Sequence, residues 1–350
     1  MNLVELVNLG TEMMASDIHI TVGVPPIFRV YGELIFGEGE KLKAEETKDL
    51  VVQAIDEEHF KTLEEKGEVD FSYSNPGKGR YRVNAFKERG NYCMALRIVP
   101  LEIPSMEWLK LPQVAEDLAR IPRGLILVTG PTGSGKSTTL ASMIDLINKE
   151  RSCHILTLED PIEYLHRHGK AIINQREIGT DSHSFSNALR AALRQDPDVI
   201  LVGEMRDLET ISIAITAAET GHLVLSTLHT AGAAKTIDRI IDVFPPYQQQ
   251  QVRVQLSSVI QAIISQQLLP RADGNGRVGA FEIMVANSAI RNLIRDDKIH
   301  QIDTVIQTGG RYQMQTMDSA LVGLYRRGLI SKDTAIRQSI NKDEIRKHII

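Results

Sequence analysis

The chain has 350 residues, 42% hydrophobic and 24% charged, which is enough for one large folded core or two smaller ones and excludes a disordered tail. Its 40 Lys and Arg residues against 45 Asp and Glu residues give a net charge of −5, and no basic stretch is interleaved with aromatic residues, so nucleic-acid binding is not expected. Cys93 and Cys153 form no CxxC pair, which excludes a zinc site and gives a disulfide little support. The amino terminus has no signal-peptide pattern and no window reaches ~18 apolar residues, so we expect a cytoplasmic protein.

Residues 1–99 are predicted to form an N-terminal α+β domain, because short alternating runs dominate and alternation is typical of antiparallel strands. In RYRVNAF, Tyr81, Val83 and Ala85 point one way, while the arginines at 80 and 82 point the other. Residues 100–112 carry three prolines and no clear period, which is typical of a linker. The predicted strands are DIHITV, PIFRVYGEL, VDFSYS, RYRVNAF and NYCMALRIV, with one helix at residues 45–55.

Residues 113–286 are predicted to form a nucleotide-binding core. Here continuous apolar strands alternate with helices, a pattern that favours a parallel sheet covered on both faces. The strands are LILVT, HILTLED, DVILVGE, HLVLSTLHT and VGAFEIMV. Residues 287–350 are predicted to be a C-terminal helical region, with Ser288, Asp318 and Ser331 each at the start of a helix.

The stretch GPTGSGKSTT, residues 130–139, predicts a phosphate-binding loop. It follows the strand LILVT, precedes a helical segment and fits the spacing G-x-x-x-x-G-K-[ST]. Glycines there let backbone N–H groups surround phosphate oxygens at a helix start, Lys136 would reach the β- and γ-phosphates of ATP, and the Ser137 hydroxyl would bind Mg²⁺. The residues predicted to bind the nucleotide are Thr132, Gly133, Ser134, Gly135, Lys136, Ser137 and Thr138.

Acidic residues follow two of the apolar strands. Glu204 ends DVILVGE, and Glu159, Asp160 and Glu163 lie in LEDPIEY. The carboxyl ends of parallel strands open onto the ligand crevice, so one of these carboxylates is expected to activate the attacking water, with Glu204 favoured and Glu163 the alternative. Glu159 and Asp160 are expected to face the nucleotide. Glu204 could instead only cap the next helix, and because Gly203 stands where many phosphate-loop enzymes have Asp, Mg²⁺ ligands beyond the loop serine stay open.

Two histidines flank the strand in GHLVLSTLHT. His229 ends the strand on the crevice side, where an imidazole N–H could contact the γ-phosphate. His222 stands before the strand and is also predicted to contact nucleotide, although capping the preceding helix would explain it equally well.

Together these segments resemble a known family. GPTGSGKSTT, ILTLEDPIEY, DPDVILVGEMRDLETI and GHLVLSTLHT resemble the four nucleotide-site motifs of secretion-type ring ATPases, and INQREIG, KTIDRIIDVFP and AIRNLIR resemble the type IV pilus retraction ATPases among them. The resemblance implies an α/β fold, with a RecA-like ATPase core, a smaller PAS-like N-terminal α+β domain and C-terminal helices. It also implies a homohexamer that uses ATP and Mg²⁺ to power pilus retraction and twitching motility. Its implied partners, at the cytoplasmic face of the inner membrane, are the pilus platform protein and an accessory retraction ATPase.

Three arginines of the first domain are candidates for a charge clamp on the nucleotide's phosphates, acting from a neighbouring domain or subunit. They are Arg80, Arg82 and Arg97, and the alternative for them is a solvated sheet face. In AIRNLIR, helical spacing places Arg291 and Arg295 on a face away from the apolar residues, and a solvated face is the alternative for them too. Because the resemblance ties this segment to retraction, we expect the two arginines to couple ATP hydrolysis to retraction, with little effect on folding, ring assembly or nucleotide affinity.

Several functions stay open on the sequence. The absence of a four-cysteine metal motif and of an extra N-terminal region favours retraction over pilus assembly, within the family to which the resemblance points. The accessory retraction ATPase is a close alternative. A nucleic-acid translocase and a nucleotide-gated scaffold that does not turn over ATP are the alternatives from other classes.

Overall fold

A computed structural model describes residues 2–30, 33–75, 79–99 and 102–349. These residues divide into two compact units. The first comprises Met1–Glu102 together with Glu163–Leu165, and the second comprises Ile103–Ile162 and His166–Ile350. Residues 102–112 of the predicted linker contain no helix or strand, and its first two residues, Pro100 and Leu101, lie outside the described ranges.

The first unit is an antiparallel sheet with three helices. Its six strands follow the order β3-β2-β1-β6-β5-β4, and every pairing is antiparallel. Its elements are α1 (Leu3–Glu12), β1 (Ala15–Ile20), β2 (Ile27–Val30), β3 (Glu33–Phe36), α2 (Ala44–Ala54), α3 (Glu57–Lys66), β4 (Glu68–Asn75), β5 (Gly79–Glu88) and β6 (Asn91–Val99).

Some predictions for this unit were incomplete. PIFRVYGEL was predicted as one strand, but β2 and β3 pair with each other as two, and the residues between them, Tyr31 and Gly32, lie outside the described ranges. Helices α1 and α3 were not predicted, and in α3 the short apolar stripe stands among charged residues. The alternation in β5 is confirmed, because Tyr81, Val83 and Ala85 are fully buried.

The second unit carries a seven-stranded sheet in the order β13-β12-β7-β11-β10-β8-β9. Its strands are β7 (Gly124–Thr129), β8 (His154–Glu159), β9 (Ile172–Glu177), β10 (Val199–Val202), β11 (Leu223–Leu228), β12 (Ile260–Pro270) and β13 (Arg277–Val285). Its helices are α4 (Gln113–Ala119), α5 (Lys136–Glu150), α6 (Phe185–Ala192), α7 (Leu208–Glu219), α8 (Ala233–Asp242), α9 (Pro246–Val259), α10 (Ser288–Arg295), α11 (Ile302–Thr308), α12 (Met317–Arg326), α13 (Lys332–Gln338) and α14 (Lys342–His348).

Six strands of this sheet are parallel, but β13 runs antiparallel to β12. The expectation of a purely parallel sheet was therefore wrong at this edge. A short turn after Pro270 returns the chain as a hairpin rather than through a crossover helix, and an apolar run alone does not distinguish the two.

Helices cover both faces of this sheet, as a buried parallel sheet requires. Along β7, Leu127 packs on the side of α6 to α11, whereas Val128 packs on the side of α4 and α5. A separate small core joins the far end of the β12–β13 hairpin to α12, α13 and α14, with Leu269, Val278 and Leu321 at its centre.

The starts of the C-terminal helices differ in part from prediction. Asn287, not Ser288, caps α10, because its side chain accepts the N–H of Ile290. Thr316, not Asp318, caps α12, whereas Ser331 caps α13 as predicted. Among the described residues, no helix combines the length and apolar character needed to cross a bilayer.

Candidate nucleotide-binding and catalytic site

The phosphate-loop segment lies between β7 and α5, at the carboxyl edge of the seven-stranded sheet. Gly135, with φ of 89°, directly precedes α5 and lies in the left-handed region that favours glycine. At Gly130, with φ of 142°, an added Cβ would lie 2.3 Å from the carbonyl oxygen of Gln266, so no larger residue fits there. The loop backbone is thus curled against its neighbour strand, with the N-terminus of a 15-residue helix at its end. Such a terminus favours an anion.

Lys136 folds back over this loop. Its Nζ donates to the carbonyl oxygens of Gly130, at 2.9 Å, and Pro131, at 3.1 Å, and the residue is 8% exposed. A lysine held at the loop's centre is placed to exchange these carbonyl contacts for phosphate oxygens.

Gln266 supports the loop from β12 and was not predicted. Its Nε2 donates to the carbonyl oxygen of Ser134 at 2.6 Å, and its Oε1 accepts from Thr139 Oγ1 at 2.9 Å. The side chain is buried, so it links the loop and the first turn of α5 to the neighbouring strand. Three consecutive polar residues inside the apolar run IISQQLL were the only sequence signal for it.

Glu204 lies two residues beyond β10, at the same sheet edge. Its Oε1 is 2.7 Å from Nε of Arg206, and its Oε2 is 3.4 Å from Nε2 of His229. Because β10 is two positions from β7, the ends of the two strands lie about 10 Å apart. The alternative that Glu204 only caps the next helix is wrong, since Asp207 caps α7 by accepting the N–H of Thr210.

The two histidines lie at opposite edges of the sheet. His229 follows the carboxyl end of β11, beside Glu204. His222 precedes the amino end of the same six-residue strand, roughly 20 Å away at about 3.3 Å per residue. Its Nδ1 lies 2.8 Å from the carbonyl oxygen of Ala217, at the end of α7. The prediction that His222 joins the nucleotide site of this chain is therefore not supported, and the helix-end alternative describes its contacts.

The remaining acidic candidates, Glu159, Asp160 and Glu163, differ in their surroundings. Glu159 ends β8, and its Oε1 accepts from Thr157 Oγ1 at 2.6 Å and from Gln175 Nε2 at 3.2 Å, so it is fixed at the carboxyl edge. Asp160 is exposed next to it and precedes a cis peptide bond. Glu163 is exposed and belongs to the segment that clusters with the first unit.

The side chains at this site could bind a magnesium ion only together with the phosphate oxygens of a nucleotide. Among the described residues, no group of three or more His, Cys, Asp or Glu side chains could hold a metal by itself. The Ser137 hydroxyl, exposed in the first turn of α5, is placed to contribute one oxygen, and phosphate oxygens and water would complete the oxygen-only ligand set that Mg²⁺ prefers.

The arginine candidates share one face of the first unit's sheet. Arg82 on β5 is paired directly opposite Arg97 on β6, and Arg80 lies two residues before Arg82 on the same face. Arg97 also donates to Asp17 Oδ1 at 2.9 Å, and Arg82 is exposed. Like charges directly opposite each other on a sheet are unfavourable, which an anion bound between them would relieve.

Fold and site together define a RecA-like ATPase: a phosphate loop follows the buried strand β7, and a carboxylate follows β10, two strands away in the same sheet. Comparison with known proteins narrows this class. The family model described as type II/IV secretion system protein matches residues 93–277, more than half of the chain. PilT of Pseudomonas aeruginosa, named as a type IV pilus retraction ATPase, is 50% identical over 335 residues, covering 96% of this chain and 97% of that protein.

Two further comparisons agree. A crystal structure of the pilus retraction motor PilT with bound ADP superimposes with a TM-score of 0.93 at 51% identity, covering 99% of both chains. PilU of P. aeruginosa, a type IV pilus ATPase, is 40% identical over 346 residues, covering 99% of this chain and 91% of that protein. The chain belongs to the type IV pilus retraction ATPases of the type II/IV secretion family.

Proposed function

We propose that this protein is the motor that powers type IV pilus retraction, working as a homohexameric ring at the cytoplasmic face of the inner membrane. Hydrolysis would drive pilin subunits back into the membrane through the pilus platform protein. The observation that carries the proposal is a complete phosphate-loop site, with Lys136 and Glu204 at one sheet edge, in a chain half identical to PilT over nearly its whole length.

The chemistry assigned to each group follows from its place. Backbone N–H groups of the loop and Lys136 would bind the phosphates, and a magnesium ion held by Ser137 would neutralise charge that develops on them. Glu204 would orient the attacking water and take its proton, while Arg206 holds one carboxylate oxygen in place. His229, 3.4 Å from the other oxygen, would sense the γ-phosphate.

Arg82 and Arg97 would complete the site from another subunit. A guanidinium next to the transferred phosphoryl group is a common way to stabilise the transition state, and it makes turnover depend on the ring. In this proposal, the opposed arginines of the first unit contact the phosphates of a nucleotide that is bound to the phosphate loop of a neighbouring subunit.

The comparisons favour a retraction motor like PilT over a type IV pilus ATPase like PilU, because this chain is 50% identical to PilT and 40% identical to PilU.

A deletion strain tests the proposal. We expect excess surface pili that do not retract, loss of twitching motility, and rescue by the wild-type gene but not by Glu204→Gln at equal abundance. Absent pili would instead make this an assembly motor. Normal retraction in the deletion strain would assign the accessory role.

A further inference from the structure

Three buried polar residues form a row across the strands next to the phosphate loop. Thr129 ends β7, Ser265 is its partner on β12, and Glu282 is the partner of Ser265 on β13. Each is at most 3% exposed. We name these three residues the polar row, and it lies on the sheet face covered by α8.

Two residues of the polar row, Ser265 and Glu282, hold the turn that leads from His229 into α8. Gly232 precedes α8 with φ of 92° and has no side chain to cap the helix, so the first N–H groups need other acceptors. Ser265 Oγ accepts the N–H of Gly232 at 3.0 Å, and Glu282 Oε1 accepts the N–H of Ala233 at 2.8 Å.

The other oxygen of Glu282 reaches a second helix. Its Oε2 accepts from the N–H of Met317, the first residue of α12, at 3.4 Å. One buried carboxylate therefore lies at the N-termini of two helices, where the peptide dipoles favour negative charge. Burial raises the pKa of Glu282 from its ordinary value, and these two N–H bonds oppose the rise.

The two helices belong to different parts of the unit. Helix α8 follows the turn that starts at His229, beside Glu204, whereas α12 opens the small C-terminal core of α12, α13 and α14. We propose that Glu282 is a positioning residue that couples the turn at residues 229–233 to these C-terminal helices. A displacement of the turn on phosphate binding or release moves the N–H of Ala233. Glu282 follows, because leaving its carboxylate without that donor in a dry interior is costly, and α12 follows Glu282.

This inference concerns the ATPase cycle and does not depend on the pilus role. Glu282→Gln keeps the shape of the side chain but replaces one acceptor oxygen with an NH₂ group, which cannot accept an N–H. We expect KM for ATP to stay within twofold and kcat to fall at least fivefold, because nucleotide still binds but the turn no longer moves with α12. Hydrogen exchange provides a second readout. In the wild type, an ATP analogue should alter protection of residues 314–322 relative to ADP, and in Glu282→Gln that response should disappear while the response at the phosphate loop remains.

Gln315→Ala is the matched control. Its Nε2 donates to the carbonyl oxygen of Phe281 at 2.9 Å, so it supports the same junction between β13 and α12 without contacting α8. We expect kcat within twofold of wild type in this variant, with the response of α12 retained. An equal loss of kcat in both variants would overturn the proposal in favour of general junction stability.

Two other results would also overturn it: unchanged kcat in Glu282→Gln, or no nucleotide-dependent change at α12 in the wild type. If Glu282→Gln does not fold, Ser265→Ala tests the same row by removing the acceptor for Gly232. A severalfold fall in kcat with a weaker α12 response is expected, and unchanged values of both would reject the coupling.

Discussion

The two edges of the seven-stranded sheet carry similar polar residues in different roles: those at the carboxyl edge lie beside the phosphate loop, and those at the amino edge bond to the ends of helices. At the carboxyl edge, Glu204 and His229 contact each other beside the phosphate loop, and His229 remains 43% exposed. At the amino edge, His222 lies against a helix-end carbonyl and Arg291 is bonded to the end of α9. Residue type and closeness to a motif therefore do not distinguish reactive from structural groups. The two kinds of group are distinguished by the sheet edge on which a residue lies and by the partners that it already has.

Arg291 is an example of a structural residue at the amino edge. Its guanidinium donates to the carbonyl oxygens of Ser257 and Ser258, in the last turn of α9, at 2.7 and 2.8 Å, and also to Ala286 and Gln261. Carbonyls at a helix C-terminus lack partners within the helix and favour a cation. Burial lowers the pKa of Arg291 from its ordinary value. The alternative that both arginines of AIRNLIR form a solvated face is therefore wrong for Arg291.

The largest effect is expected at the carboxyl edge from Lys136→Ala, which removes the cation at the centre of the loop. Nucleotide binding should weaken by about tenfold or more, and turnover should fall below detection. Lys149→Ala, at the exposed end of the same helix, should leave both unchanged. Normal ATPase activity in Lys136→Ala would rule out a phosphate-loop site.

Next in size is Glu204→Gln, which keeps the shape of the side chain but cannot take a proton. ATP should bind with wild-type affinity while hydrolysis slows by ~10²-fold or more. Glu209→Gln is the control, since that carboxylate is exposed in α7 and pairs with Arg190. If turnover in Glu204→Gln stays near normal, Glu163 becomes the better candidate for the general base.

A smaller loss, of roughly tenfold or more, is expected from Arg82→Ala if this arginine acts across subunits. Mixing it with Lys136→Ala subunits should then restore part of the ATPase rate, because mixed rings contain intact composite sites. Arg89→Ala, at the exposed turn after β5, should be as active as wild type. Absence of recovery despite proven subunit exchange would count against action in trans, and full activity of Arg82→Ala alone would indicate a solvated face.

Local patterns predicted much of this molecule. The predicted RecA-like fold class is confirmed. It could be predicted because continuous apolar strands and the glycine spacing of the phosphate loop are patterns among residues close together in the sequence. Gln266 and Glu282 were missed because their partners are far away along the chain: Gln266 contacts Ser134, 132 residues earlier. Strand β12 was missed for a related reason, since it continues directly from α9 without a turn signal. Arg291 was misjudged because helical spacing gives the face of a side chain but not what packs against that face.

At the amino edge, Arg291→Ala should affect stability rather than chemistry. Four hydrogen bonds from a partly buried cation are lost and backbone carbonyls at the end of α9 lose their donor, so we expect a cost of about 2–3 kcal/mol. The measurement is the thermal midpoint together with the ATPase rate well below the transition, which should stay near wild type. Arg291→Lys should recover little, because an ammonium cannot reproduce the guanidinium fork. An unchanged midpoint would show that these bonds contribute nothing to the folded state.

The smallest effect on the purified protein is expected from Arg295→Ala, one helical turn further along α10. Arg295 is exposed and donates to Asn292 at 3.0 Å, so its removal should change stability by no more than about 0.5 kcal/mol and leave ring assembly and ATPase rate unchanged. Because AIRNLIR resembles a segment tied to retraction, we expect the same variant to uncouple hydrolysis from retraction in cells. The measurement is paired: ATPase rate on the purified ring, and retraction in cells that carry the variant at normal abundance. Arg295 tests this better than the double variant with Arg291, whose loss of stability would reduce retraction by itself. Retraction at the wild-type rate would make Arg295 a solvated residue only, whereas a ring that no longer assembles would give it a structural role after all.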